Sequence, residues 1–272
     1  MATKKINIYS SLESTSNQKV EDLYIIVDQN NIIFYVKNKK SNQTVAFEHF
    51  VKDAADTRWQ EIDNYIQKNS KLVSGFYASI YFIINSPKFI LTNKLVKEDT
   101  LIYWEELNMV HGKSNDEELY ITPFNDNLVV AFAVPDAIST FLSRLFPSGK
   151  WHHYAAYVLA TASLNEVLVY LFDNTFCLRI VMDGKTQFIQ YFMIESHGSN
   201  CYQILNACSN TNIKTNASKI KVWGYHDDHH QFIQKIAPYF AEGEIVETPN
   251  NGIGVTLNES YPQNIYSTYF IF

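Results

Sequence analysis

Leu23-Tyr24-Ile25-Ile26-Val27-Asp28, a polar turn at Gln29-Asn30-Asn31, the run Ile32-Ile33-Phe34-Tyr35-Val36 and a third apolar run from Val45 to Val51 decide the fold, because the pattern returns in the second half of the chain. There it reads Val167-Leu168-Val169-Tyr170-Leu171-Phe172-Asp173, a turn at Asn174-Thr175, then Phe176 to Met182 and Phe188 to Ile194. Short β-branched and aromatic runs broken by Asn and Asp predict three antiparallel strands joined by tight turns in each copy. An aspartate stands at the tip of each first strand. A duplicated unit of this kind specifies architecture far better than activity.

Outward from the first copy, the Ser-rich residues 1–20 read as an arm or an added strand. Asp56-Thr57 is a candidate N-cap for a helix carrying Trp59, Ile62, Tyr65 and Ile66. Phe76 to Ile84 and Lys88 to Thr92 are strand-like, and Glu98 to Met109 is helical. Tyr120–Phe124 and Leu128–Val134 flank Asn125-Asp126-Asn127 as a hairpin, and Pro135-Asp136 opens a helix to about Phe146. Lys150 to Ala162 reads equally as strand or helix. After the second copy, Tyr202, Leu205 and Cys208 mark the apolar face of a helix over 200–210. A strand at Lys219–Gly224, a helix at Gln231–Phe240 and a strand at Glu244–Glu247 complete the order. Two units are expected, residues 1–160 and 161–272.

Composition excludes several classes. The chain has 272 residues, 46% hydrophobic and 18% charged, with 18 Tyr and 18 Phe, enough to give each unit a core. Net charge is −6, neither half is basic, and the arginines are only Arg58, Arg144 and Arg179, which argues against a nucleic-acid partner. Cys177, Cys201 and Cys208 fit neither a disulfide framework nor a C-x-x-C zinc site. No signal-like start and no apolar run of about 18 residues is present, so no membrane association and a reducing, cytoplasmic setting are expected.

The strand-strand-strand-helix-strand-helix-strand order resembles the ribonuclease-H-like unit, and two such units resemble the actin, hexokinase and Hsp70 class: an α/β fold with mixed sheets. At a finer level the chain resembles an uncharacterised Bacteroidota family with an actin-like ATPase fold. The paired hairpins carry this, with Ser86-Pro87-Lys88-Phe89-Ile90-Leu91, His153 through Leu159, and Val222-Trp223-Gly224 followed by Phe232 to Phe240. The resemblance implies a fold and brings no activity of its own.

In actin-like ATPases each first hairpin presents an Asp followed by Gly and hydroxyl residues. Backbone N–H groups of that turn cradle phosphates while the Asp orients magnesium or water. Here Asp28 and Asp173 keep the acid, but the turns Gln29-Asn30-Asn31 and Asn174-Thr175-Phe176 lack glycine, which the close approach to phosphate demands. The glycine pair that holds adenosine could match only Gly224 or Gly252-Ile253-Gly254. If a cofactor binds, the resemblance implies ATP with magnesium at Asp28 and Asp173. Otherwise the two aspartates are turn formers.

Other clusters are weaker. Tyr225-His226-Asp227-Asp228-His229-His230 offers imidazoles and carboxylates, yet it lies between a strand and a helix without spaced partner ligands, so no metal is expected. His152 and His153, adjacent on a strand, face opposite sides and cannot chelate one ion. A two-metal nuclease set of Asp173, Glu195 and Asp227 or Asp228 conflicts with the acidic charge. No hydrolase or Walker motif occurs. The expectation is a non-catalytic actin-like protein binding a protein partner through an interdomain groove or an exposed sheet edge, with an ATP-binding or ATP-hydrolysing enzyme as the alternative.

Overall fold

A computed structural model describes residues 2–9, 20–52, 59–94, 100–160, 164–224, 230–246 and 267–270. These fall into two compact units, one holding the described residues up to Ala156 and the other those from Tyr157.

In the first unit β2 (Glu21–Val27), β3 (Asn31–Asn38) and β4 (Thr44–Lys52) form the antiparallel meander expected from the first copy. Helix α1 (Trp59–Asn69) then leads to β5 (Ser79–Ile84), which pairs parallel with β2. Helix α3 (Asp136–Leu145) leads to β9 (Lys150–His153), parallel to β5. A helical crossover is what lets a strand return parallel, whereas a two-residue turn can only return it antiparallel. The N-terminal residues resolve as an added strand, β1 (Ala2–Tyr9), antiparallel to β4.

Between β5 and α3 lies an insertion of β6 (Phe89–Asn93), α2 (Thr100–His111), β7 (Glu117–Pro123) and β8 (Leu128–Pro135). Its three strands form a separate antiparallel sheet in the order β6-β8-β7. The Asn125 side chain shapes the β7–β8 turn, its Oδ1 accepting from the Asn127 and Leu128 N–H groups at 2.9 Å each.

The second unit repeats the plan without the insertion. Strands β10 (Glu166–Leu171), β11 (Thr175–Met182) and β12 (Lys185–Met193) form the meander. Helix α5 (His197–Asn210) leads to β13 (Lys219–Trp223), and α6 (His230–Ile236) to β14 (Glu242–Ile245), both strands parallel to β10. The sheet orders β4-β3-β2-β5-β9 and β12-β11-β10-β13-β14 are the same, with β1 added outside β4.

Periodicity accounts for the cores. Val167, Val169 and Leu171 alternate onto one face of β10 and meet Cys201, Ile204 and Cys208 of α5. In the first unit, Ile62 and Ile66 of α1 are one helical turn apart and both buried. Tyr202, expected on the apolar face of α5, is instead 69% exposed. The helix is rotated so that residues 201, 204 and 208 face inward, and small Cys and Ala side chains permit its close approach to the sheet. The Phe76 end of the expected fifth strand is likewise exposed, and the strand begins at Ser79.

The ambiguous stretch after Gly149 is both structures in succession. β9 ends at His153 and α4 (Tyr154–Ala160) begins at the next residue. The open carbonyls at the end of α4 are met by the buried guanidinium of Arg179, which donates to Val158 O at 2.5 Å and Leu159 O at 3.3 Å. Its Nε donates to Thr186 Oγ1 at 2.8 Å, fixing the head in place.

Candidate functional site

The two hairpin tips are built alike and filled differently. In the first, Val27 pairs with Ile32 and the Asp28 N–H donates to Asn31 O at 3.0 Å, leaving Gln29-Asn30 as the loop. In the second, Leu171 pairs with Phe176 and the Phe172 N–H donates to Thr175 O at 2.8 Å, leaving Asp173-Asn174 as the loop. Asp28 therefore aligns with Phe172, and Asp173 with Gln29. The two aspartates stand at different corners of equivalent turns, one residue out of step. The third strand clasps each tip in the same way, Lys52 N–H on Asn30 O at 2.7 Å and Ile194 N–H on Asn174 O at 2.8 Å.

The Asp28 carboxylate is engaged by its own turn. Its Oδ1 accepts from the Asn30 N–H at 2.9 Å, the Asn31 N–H at 2.7 Å and Asn31 Nδ2 at 2.9 Å. Oδ2 accepts from the same Nδ2 at 3.1 Å. Buried Asn31 in turn places its Oδ1 2.7 Å from His49 Nε2 on β4. A side-chain oxygen that gathers the following N–H groups is the usual means by which Asp holds a tight turn without glycine. The amides of Asn30 and Asn31, which a phosphate would need, point inward to that oxygen. Sequence reading missed the Asn31–His49 support. Its only signal was a His opposite the turn in the third apolar run.

Gly224 follows β13 with φ +73°, and its N–H donates to Ser267 Oγ at 2.7 Å. A Cβ there would stand 2.1 Å from Thr268 Oγ1 and 2.3 Å from the Leu171 carbonyl oxygen. The glycine admits the 267–268 segment, whose Thr268 hydroxyl donates to Leu171 O at 3.1 Å. The 267–268 segment thus packs directly against Gly224. Gly252 and Gly254 lie outside the described residues, as do Asp56, Thr57, Tyr225, His226, Asp227, Asp228 and His229; His230 opens α6. Among the described residues no group of three or more His, Cys, Asp or Glu side chains could hold a metal. Glu195 of the conjectured nuclease set accepts from Ser199 Oγ at 2.9 Å at the start of α5.

The two described arginines are also engaged. Arg179 is spent on α4. Arg144 of α3 forms an ion pair with buried Asp63 of α1, whose Oδ1 accepts from Gln67 Nε2 at 2.6 Å. This pair borders a cavity of about 350 Å³ lined further by Trp59, Asp136, Thr140 and Phe141. Arg58 lies outside the described residues.

His153 is fully buried. Its Nε2 lies 2.9 Å from the Ser86 carbonyl and its Nδ1 accepts from the Ala155 N–H at 3.1 Å, which makes it the neutral Nε2–H tautomer. The ring stacks on Phe89 with centroids 4.6 Å apart. Burial lowers its pKa from 6.5 to about 3, opposed weakly by the Ser86 hydrogen bond. Half-buried His152 is lowered as well, by burial and then by Lys150. Both imidazoles lie in the first unit.

Two units of one strand order, each opening on a three-strand meander, define the actin-like ATPase fold, and in the first of them the Asp28 carboxylate is bonded by its own turn. The DUF3822 model, whose family is described as protein of unknown function, matches residues 11–242, and the chain belongs to that family. No curated protein matches it. Among solved structures it is similar to a Bacteroides thetaiotaomicron protein with an actin-like ATPase fold and unknown function, at TM-score 0.75 and 14% identity over 84% of this chain and 91% of that one. It is also similar to a chain of the PilM-PilN type IV pilus biogenesis complex, at TM-score 0.52 and 10% identity over 93% of this chain and 98% of that one. At these identities the likeness is one of fold.

Proposed function

We propose that this is a non-catalytic actin-like protein that acts in the cytoplasm by binding another protein. The observation that carries the reading is the Asp28 carboxylate, held by two backbone amides and a side-chain amide of its own turn. A phosphate-cradling role for the Asn30 and Asn31 amides would require those bonds to be broken first. The one-residue offset of Asp173 supports the same reading, because two acids at different turn corners do not form the matched pair the nucleotide site of the fold employs. The net charge of −6 speaks against nucleic acid as the partner. No helix among the described residues is long and apolar enough to cross a membrane. A relative of the same fold found in a protein complex, PilM-PilN, is consistent with a docking role.

The test is a thermal-shift titration with Mg-ATP. A ligand at 100 times its dissociation constant stabilises by about 2.7 kcal/mol, so binding of any consequence is visible. The expected result is no shift. Saturable stabilisation abolished by Asp28→Ala or Asp173→Ala would replace this reading with an ATP-binding or ATP-hydrolysing enzyme.

A further inference from the structure

The insertion of the first unit has no counterpart of its length in the second, where only a few residues separate β13 from α6. The duplicated sheet is thus complete without it. Its helix α2 also departs from the usual amphipathic design. Tyr103 and Leu107, one turn apart, are buried, with Tyr103 packing against Val129 and Ala131 of β8. The rest of the surface of such a helix is ordinarily polar. Here Leu101, Ile102, Met109 and Val110 are 66%, 40%, 83% and 67% exposed. Four of the ten large apolar side chains most exposed among the described residues therefore lie on this one helix, which makes it a patch and not scatter.

The order along the patch is specific. Positions 101, 105 and 109 form one row of the helix surface at i, i+4 spacing, and positions 102, 106 and 110 form the next. Each row reads apolar, Glu, apolar: Leu101-Glu105-Met109 and Ile102-Glu106-Val110. Neither glutamate is in an ion pair among the described residues. Two apolar ends therefore flank an acidic centre. A second copy of the chain fits this face badly. Antiparallel pairing of two α2 helices about their midpoint would match the apolar ends but bring four carboxylates together in a desolvated centre, and like charges so placed disfavour association.

We propose that the exposed apolar surface of α2 docks an amphipathic helix of a different protein, apolar at both ends of its contact stripe and carrying Lys or Arg at the middle, where it meets Glu105 and Glu106. Apolar anchors at i and i+8 supply the contact area and the central charges supply register and selectivity. This names the surface and partner class for the protein-binding reading above and rests on it.

The experiment places a photo-reactive amino acid at position 109 of the full chain in the cell that naturally makes it, with position 193 on the outer strand β12 and position 68 on α1 as comparisons. The expected result is one polypeptide adduct specific to position 109, mapping to an apolar helical segment with a central base. With that segment as a purified probe, Glu105→Lys together with Glu106→Lys lowers affinity at least tenfold, and replacing the segment's base by Glu restores it. The substitutions fall on exposed Glu105 and half-buried Glu106, and the unfolding midpoint checks that the fold is kept. An adduct between two copies, an adduct to lipid, or one indifferent to the charge reversal overturns the inference. Adducts at 193 but not at 109 overturn it while leaving protein binding in place, and no adduct at any position counts against both.

Discussion

Lowering the pH from 7.5 to 5.0 should destabilise the first unit through one residue, His153. Its folded pKa of about 3 lies far below its ordinary 6.5 because the ring is enclosed and both nitrogens are committed to neutral hydrogen bonds. The unfolded chain takes up a proton below pH 6.5 that the folded chain refuses until about pH 3. The stability this residue supplies is therefore complete above pH 6.5 and lost as pH falls, at 1.36 kcal/mol per unit. Over the 1.5 units from 6.5 to 5.0 the loss is about 2 kcal/mol. Urea unfolding followed by tryptophan fluorescence is suited to the assay, because Trp59, Trp104 and Trp151 belong to the first unit. Carboxylates titrate in the same range, so the quantity to compare is the pH slope of the wild type against His153→Gln, which keeps an amide donor and acceptor and cannot be charged. The variant should lack the extra 2 kcal/mol of acid sensitivity, whatever its stability at pH 7.5. Equal slopes, or a His153 resonance titrating near pH 6.5, would refute the reasoning.

Further outcomes follow from other residues. Glu48 is fully buried, paired with Lys4 of β1 at 2.8 Å and bonded to the Lys71 N–H at 3.0 Å, so Glu48→Ala should cost about 3 kcal/mol and speed amide exchange along β1. Gly224→Ala combines a positive φ with two contacts under 2.5 Å and should cost about 3 kcal/mol or more, read as a fall in the unfolding midpoint of the second unit. Cys177, Cys201 and Cys208 are all buried, and burial pushes their thiols up, Cys208 to about 12, so a thiol reagent at pH 8 should modify none in the native protein and all three in denaturant.

The architecture was legible where apolar runs and turn residues alternate cleanly. Both meanders, the crossover strands other than β9 and the Asn125 hairpin are of this kind, since side-chain periods of 2 and 3.6 are written directly in the order of residues. The β9–α4 junction was not, because His153 ends a strand and Tyr154 starts a helix with no Gly, Pro or capping residue between them. Likewise, several positions on α5 repeat at helical spacing, and only the sheet decides that Cys201, and not Tyr202, turns inward. At the site, the presence of Asp28 and Asp173 and the absence of glycine were plain. Their one-residue offset was not, because it depends on which residue closes each turn, and Phe172 continues the apolar run before Asp173 without a break. That Asn31 both donates to Asp28 and meets His49 is set by strand pairing, which no local pattern encodes.

The central claim, that Asp28 braces its turn, is tested most directly by the unfolding free energies of Asp28→Asn and Asp28→Ala without nucleotide. Asn keeps the side-chain oxygen that gathers the two amides and is itself favoured in such turns. It should lose under about 1 kcal/mol, whereas Ala, which removes a charged acceptor from three donors, should lose about 2–3 kcal/mol. Wild-type stability in both variants would contradict the account and return Asp28 to the role of a ligand awaiting its metal.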